Sequence, residues 1–179
     1  TGFTIDPANG NILEIIDPLG SKEIFTYDSF GNALTFTDKN NQLTIGVISD
    51  TCLNSKYARL DILHTAYDVF KQLNVSYVLH CGNFTEGYAK GDTHVEHILY
   101  PDYGGMLDYI REGYPNIGVD TYFIGGRNER SFFKRIIKEK DEDGFIRKEK
   151  TNVCSNLEAL RSDFIFLGWH NAKVRIAPK

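Results

Sequence analysis

An apolar run, LTIGVIS, begins at Leu43 and ends abruptly in Ser49-Asp50-Thr51-Cys52. Continuous apolar character over so short a length predicts a strand buried on both faces. From Arg59 to Asn74 the apolar positions are Leu60, Leu63, Ala66, Tyr67, Phe70 and Leu73, the three-and-four spacing of a helical stripe. SYVLHC then reads as a second buried strand, residues 104–113 as a short helix closed by Gly113 and Pro115, and DTYFIGG as a third strand. Ser131 to Lys140 reads as helix stopped by the charged turn KDEDG, and DFIFLG and KVRIA as two more strands. Strands alternating with helices predict parallel pairing and an α/β fold, with function gathered where the strands end.

The first 43 residues have a different texture and an internal echo. FTIDPANGNILEIIDPLG and FTYDSFGNALTFTDKN share Phe-Thr-x-Asp, then Gly-Asn, Leu and Asp, so that Gly10 and Gly31, and Asp17 and Asp38, stand 21 apart. Asn9-Gly10 and Gly31-Asn32 are pairs that accept positive φ cheaply and so mark hairpin turns. ILEII, EIFTY and ALTFT supply the β-branched and aromatic strands between them. The expectation is a module of two antiparallel hairpins over 1–43, with no helix between Ile12 and Phe36. Its Tyr27-Asp28-x-x-Gly31-Asn32 pattern resembles the tyrosine–aspartate (YD) repeats of large shell-forming toxins, a resemblance that implies β-structure and nothing about activity.

Composition narrows the classes. Of 179 residues, 41% are hydrophobic and the formal charge is −4, which argues against a general binder of nucleic acid or anionic membranes. Residues 127–150 depart from that average, with nine Lys/Arg against six Asp/Glu, a local +3 that leaves −7 elsewhere. This basic stretch is a candidate contact for nucleic acid. Cys52, Cys81 and Cys154 form neither a CxxC zinc pattern nor an even disulfide set, so reduced thiols in a cytoplasmic compartment are expected. No apolar run nears the roughly 20 residues of a membrane span, and no signal peptide is visible. The chain lacks an initiator Met and reads as a piece of a longer polypeptide.

The candidate chemistry lies at three strand ends: Ser49-Asp50-Thr51-Cys52, then His80-Cys81-Gly82-Asn83, then Gly125-Gly126-Arg127-Asn128-Glu129. In that order and on those elements they resemble the calcineurin-like metallophosphoesterases, whose strand ends read Asp-x-His, Gly-Asp and Gly-Asn-His-Asp/Glu. ISDTCLNSKY is similar to the family's ISDTHLGSKY, VLHCGNFTEG to VLHAGDxxDG, and YFIGGRNE to YFITGNHD. The resemblance runs from about Leu43 to Ile176. It implies a sandwich of mixed β-sheets flanked by helices over 44–179, incomplete at its C-terminus. It also implies a site where two divalent ions clamp a phosphate and activate a bridging water.

Residue by residue, that apparatus is depleted. Asp50 matches the first aspartate, but Cys52 stands at the first histidine and Asn83 at the bridging aspartate. Arg127 stands at the asparagine ligand and Asn128 at the histidine that protonates the leaving group; Glu129 keeps the acidic position. A guanidinium beside a divalent ion is repelled by about 4 kcal/mol per unit charge product at 4 Å with an effective dielectric near 20. Arg127 is therefore expected to pair with Asp50 or Glu129 instead. The reading is a catalytically degenerate domain without cofactor, serving as a binding or structural part of a larger phage or bacterial protein, in cytoplasm or virion. One alternative is an active hydrolase with two Mn, Zn, Mg or Fe ions, completed by residues outside this chain. Another is a single Zn on Asp50 and Cys52, and another a nucleic-acid module built on 127–150. His94 and His97, three apart, could share a metal but lack a third ligand; His80 is expected to face the core, and Cys52 and Cys81 to lie on neighbouring strand ends. His170 does not look like one of the family's C-terminal histidines.

Overall fold

The computed structural model describes residues 2–37, 43–87, 95–134, 136–140 and 146–174. Four short strands come first: β1 (Gly2–Ile5), β2 (Ile12–Ile16), β3 (Lys22–Tyr27) and β4 (Ala33–Thr37). They form an antiparallel meander with no helix between Ile12 and Phe36, as expected. The turns repeat more finely than the 21-residue echo suggests, with aspartates 6, 17 and 28 each opening one. Asp17 Oδ1 accepts the Leu19 and Ser21 N–H groups, and Asp28 Oδ1 accepts those of Phe30 and Asn32. Gly20 and Gly31 close these two turns at φ of 85°, where a side chain would be strained.

The meander is continuous with the α/β part. β5 (Thr44–Ile48) pairs antiparallel with β4 and parallel with β6 (Tyr77–His80), followed by β7 (Thr121–Gly125) and, at the far edge, β10 (Phe164–Trp169). Between them lie α1 (Leu60–Gln72), α2 (Tyr103–Gly113), a one-turn α3 (Arg127–Arg130) and α4 (Val153–Leu160). The result is one eight-stranded mixed sheet, β1 to β7 in sequence order and then β10.

Helix α1 lies on the sheet because Gly46 admits it: a Cβ there would stand 2.9 Å from the Phe70 ring. Val78, His80, Thr121, Phe123 and Phe164 are buried on that helix-bearing face, while Val47, Leu79, Tyr122 and Ile165, in register across four strands, are half-buried on the other. Phe84, stacked on Tyr114 and edge-on to Phe164, locks the loop after β6 into the core. Arg161 pins the end of α2, donating to the Tyr114 and Pro115 carbonyls while pairing with Asp163 at 2.5 Å.

One expected element is different. Ser131–Lys134 is a single 3-10 turn, and Ile136–Lys140 is a strand, β8, paired antiparallel with β9 (Ile146–Lys150). Paired β-branched isoleucines at 136 and 137 and a partner strand outweigh the local helical propensity of the lysines and glutamate. The expected turn at 141–144 and the KVRIA strand beyond Val174 lie outside the described residues. Helix α4, capped by the Asn152 side chain on Ser155 N, had no counterpart in the periodicity reading.

Candidate functional site

Three parallel neighbours, β5, β6 and β7, end side by side, and each sends its polar tail to the same edge. Parallel-ladder bonds continue past the strands: Asp50 N donates to Gly82 O, Cys52 N to Asn83 O and Leu53 N to Phe84 O. To turn there, the backbone adopts left-handed conformations at Asp50 (φ 52°), Cys52 (φ 44°), Asn54 (φ 73°), Gly82 (φ 103°) and Asn83 (φ 51°). Asp and Asn tolerate that region better than other side chains; Cys52 does not share the advantage, so its conformation is enforced by its surroundings.

Asn83 is the centre of the arrangement. Its Nδ2 donates to Asp50 Oδ1 at 2.7 Å, and its Oδ1 accepts the Asn128 N–H at 3.2 Å. The neutral amide thus ties the first strand end to the third. Gly126 makes room for it: a Cβ at 126 would stand 2.5 Å from Asn83 N and 2.6 Å from its Oδ1. Gly125 is needed for a different reason, since the Trp169 ring lies 2.4 Å from where its Cβ would be. Asn128 Nδ2 donates to the Thr85 carbonyl at 2.9 Å and faces Cys52 Sγ at 3.8 Å.

Behind this layer, Glu129 is fully buried. Its Oε1 accepts from Thr85 N and Thr85 Oγ1, and its Oε2 from Gly126 N, so three donors hold the carboxylate with no cation beside it among the described residues. His80 is buried too, as expected. Gly82 N donates to its Nδ1, which leaves the ring proton on Nε2 to meet Thr51 Oγ1, whose hydroxyl passes on to the Phe84 carbonyl. Burial holds this imidazole neutral, its pKa pushed down from 6.5 to about 3.

The electrostatics follow from these contacts. Hydrogen bonds from Asn83 and Ser49 hold the Asp50 carboxyl below the usual aspartate range. Burial, reinforced by Glu86, Asp50 and Glu129, pushes the Cys52 thiol up to about 11, so it is protonated at neutral pH.

Asp50, Asn83 and Asn128 are therefore brought together at this edge. Arg127 does not fill the gap between them. Its side chain is exposed and makes no hydrogen bond or ion pair with any described residue; Asn83 and backbone donors hold the carboxylates it was expected to meet. Starting the one-turn helix α3 at 127 carries the guanidinium outward while 128 and 129 point in. Thr85 was not anticipated as a site residue, although its place two after Asn83 repeats the way Cys52 follows Asp50. His170 accepts from Arg130 at 2.9 Å; His97 pairs with Glu96, and His94 lies outside the described residues. Among the described residues no three His, Cys, Asp or Glu side chains are grouped to hold a metal ion.

Beside Asp50 opens a cleft of about 650 Å³. The β4–β5 ladder stops at Thr35 and Gly46 although both strands run on, and Leu34, Val47 and Ile48 line the space so opened. Ile62 and Ala66 of α1 form the opposite wall, and Asp50, Cys52, Cys81 and Glu86 the rim. No helix among the described residues is long and apolar enough to cross a membrane. No protein-family model matches the chain, and no curated protein matches it, so the geometry of this strand-end site is what bears on function.

Proposed function

We propose that the chain is a catalytically degenerate domain of the calcineurin-like metallophosphoesterase type, used for binding within a larger phage or bacterial protein, in cytoplasm or virion. In this reading the half-buried face carrying Val47, Leu79, Tyr122 and Ile165 is where the second sheet of the family's sandwich packs.

The observation that carries the reading is the Asn83 amide. Bringing two divalent ions together requires a carboxylate at the bridge to cancel charge. Here the bridge position is neutral and its N–H donor, not a lone pair, is turned onto Asp50. Cys52 is a protonated thiol facing the Asn128 amide, and Asn128 itself has no proton to give a leaving group. The residues present do not fit a metal pair, and no hydrolytic step is assigned to them.

The reading is tested by assaying the purified chain on bis(p-nitrophenyl) phosphate with added manganese, zinc or magnesium. No turnover above the metal-only background is expected. Turnover that disappears in Asp50→Ala would overturn the degenerate reading in favour of an active hydrolase.

A further inference from the structure

We propose that the cleft beside Asp50 binds an organic cation, a primary ammonium or guanidinium group carried on a compact apolar body. The proposal rests on the reading above, because a metal pair would claim Asp50 for itself.

Size and lining come first. About 650 Å³ lies within the roughly 300–1,000 Å³ of small-molecule sites, which are mostly apolar with a few placed polar groups. Leu34 and Ile48 on one side and Ile62 and Ala66 on the other give the apolar body two walls.

Charge then selects the head group. Four ionised side chains line the cleft: Asp28, Asp50, Arg59 and Glu86. Asp28 is consumed by its own turn, accepting from Phe30 N, Asn32 N and Asn32 Nδ2. Arg59 is consumed by Asp61, which it meets through two N–H donors at 2.8 and 2.6 Å. That leaves Asp50 and Glu86, and neither has a cationic partner among the described residues. Asp50 accepts from Asn83 and Ser49, and a carboxylate offers about four lone-pair sites, so two remain for a ligand. An anion would face three carboxylates, Asp28, Asp50 and Glu86. Among the described residues a bare metal ion finds no group of three ligating side chains. An ammonium or guanidinium needs neither closed coordination nor exact geometry, only acceptors at an apolar mouth.

The test is an NMR titration of the ¹⁵N-labelled chain with phenethylamine, benzamidine and tryptamine, against 3-methylindole and indole-3-acetate as neutral and anionic controls. At least one cation should shift the amides of Val47–Leu53 and Ile62–Ala66 saturably and bind tenfold or more tightly than 3-methylindole, with indole-3-acetate weaker still. Asp50→Asn should weaken that binding tenfold or more. Asn tolerates the left-handed backbone at 50 and keeps an acceptor for Asn83, so the chain should stay folded, with its unfolding midpoint lowered only by the change from a charged to a neutral acceptor. Glu86→Gln, at a residue whose described hydrogen bond is the backbone one from its N–H to the Leu53 carbonyl, should weaken it severalfold. The proposal is overturned if none of the three cations saturates, if the neutral or anionic control binds equally well, or if both variants bind like wild type. A parallel titration with manganese and zinc separates the two readings. Uptake of two metal equivalents overturns the degenerate reading itself, whereas no metal and no amine overturns only the cation proposal.

Discussion

Replacing Asn83 by Asp changes one nitrogen to oxygen and introduces the carboxylate found at the matching position of the metallophosphoesterase pattern that the sequence resembles. In the present arrangement the change should be harmful. Nδ2 donates to Asp50 Oδ1 at 2.7 Å, and a hydrogen bond to a charged acceptor contributes roughly 1.5–3 kcal/mol. The variant loses that bond and sets a second negative charge against the first. At about 4 Å and an effective dielectric near 20 the repulsion is roughly 4 kcal/mol, to be about halved because Asp50 is exposed. The expected loss of stability at pH 7 is therefore about 3–5 kcal/mol. Two carboxylates so close titrate as a pair, with one pKa raised. The native variant then binds a proton more readily than its unfolded chain, and the deficit relative to wild type shrinks as pH falls through that raised pKa. Urea unfolding of wild type and Asn83→Asp at pH 7 and pH 4.5 measures both effects. A variant within about 1 kcal/mol of wild type at pH 7, or one equally impaired at pH 4.5, would refute the view that the amide neutralises this site.

Three further outcomes follow from the same geometry. His80 stays neutral when native, with its pKa lowered from 6.5 to about 3, so protons favour the unfolded chain between those values. Stability should fall by up to about 1.4 kcal/mol per pH unit as pH drops below 6.5, and His80→Gln should flatten that slope in pH-resolved unfolding. Glu129→Gln leaves three converging donors with one acceptor fewer and adds a donor in a site with no exposure; a loss of about 2–4 kcal/mol is expected in chemical denaturation. Gly126→Ala forces a methyl to within 2.5 Å of Asn83 N. It should cost roughly 1–3 kcal/mol, with the amide shifts of Asn83 and Asn128 perturbed in NMR spectra.

The strands that carry the site were legible because each apolar run ends in polar residues at a defined point. SYVLHC, DTYFIGG and DFIFLG could hardly be anything but buried strands, and their order set the sheet edge. β8 was not legible: IIKEK has lysines and a glutamate that suit a helix, and only its pairing with IRKEK makes it a strand. The middle turn of the meander was missed for a different reason. Aligning Gly10 with Gly31 hides the shorter repeat, whereas Asp17-x-x-Gly20-Ser21 beside Asp28-x-x-Gly31-Asn32 displays it. At the site, residue identity gave the candidates but not their roles. Nothing in Gly-Gly-Arg-Asn-Glu says that the arginine turns out to solvent and the glutamate turns in to Thr85, because that depends on where a one-turn helix begins. The Gly-Gly pair carried a signal that periodicity does not weigh: two adjacent residues without Cβ, one under Trp169 and one against Asn83.

In the degenerate reading proposed above, the neutral Asn83 amide stands where a metal-bridging carboxylate would be and ties the strand ends to one another. Equilibrium dialysis of the wild-type chain against manganese and zinc at pH 7, followed by elemental analysis, tests it most directly. Less than one tightly bound equivalent of either metal is expected, unchanged in Asp50→Ala. Two bound equivalents per chain that vanish in Asp50→Ala would contradict it.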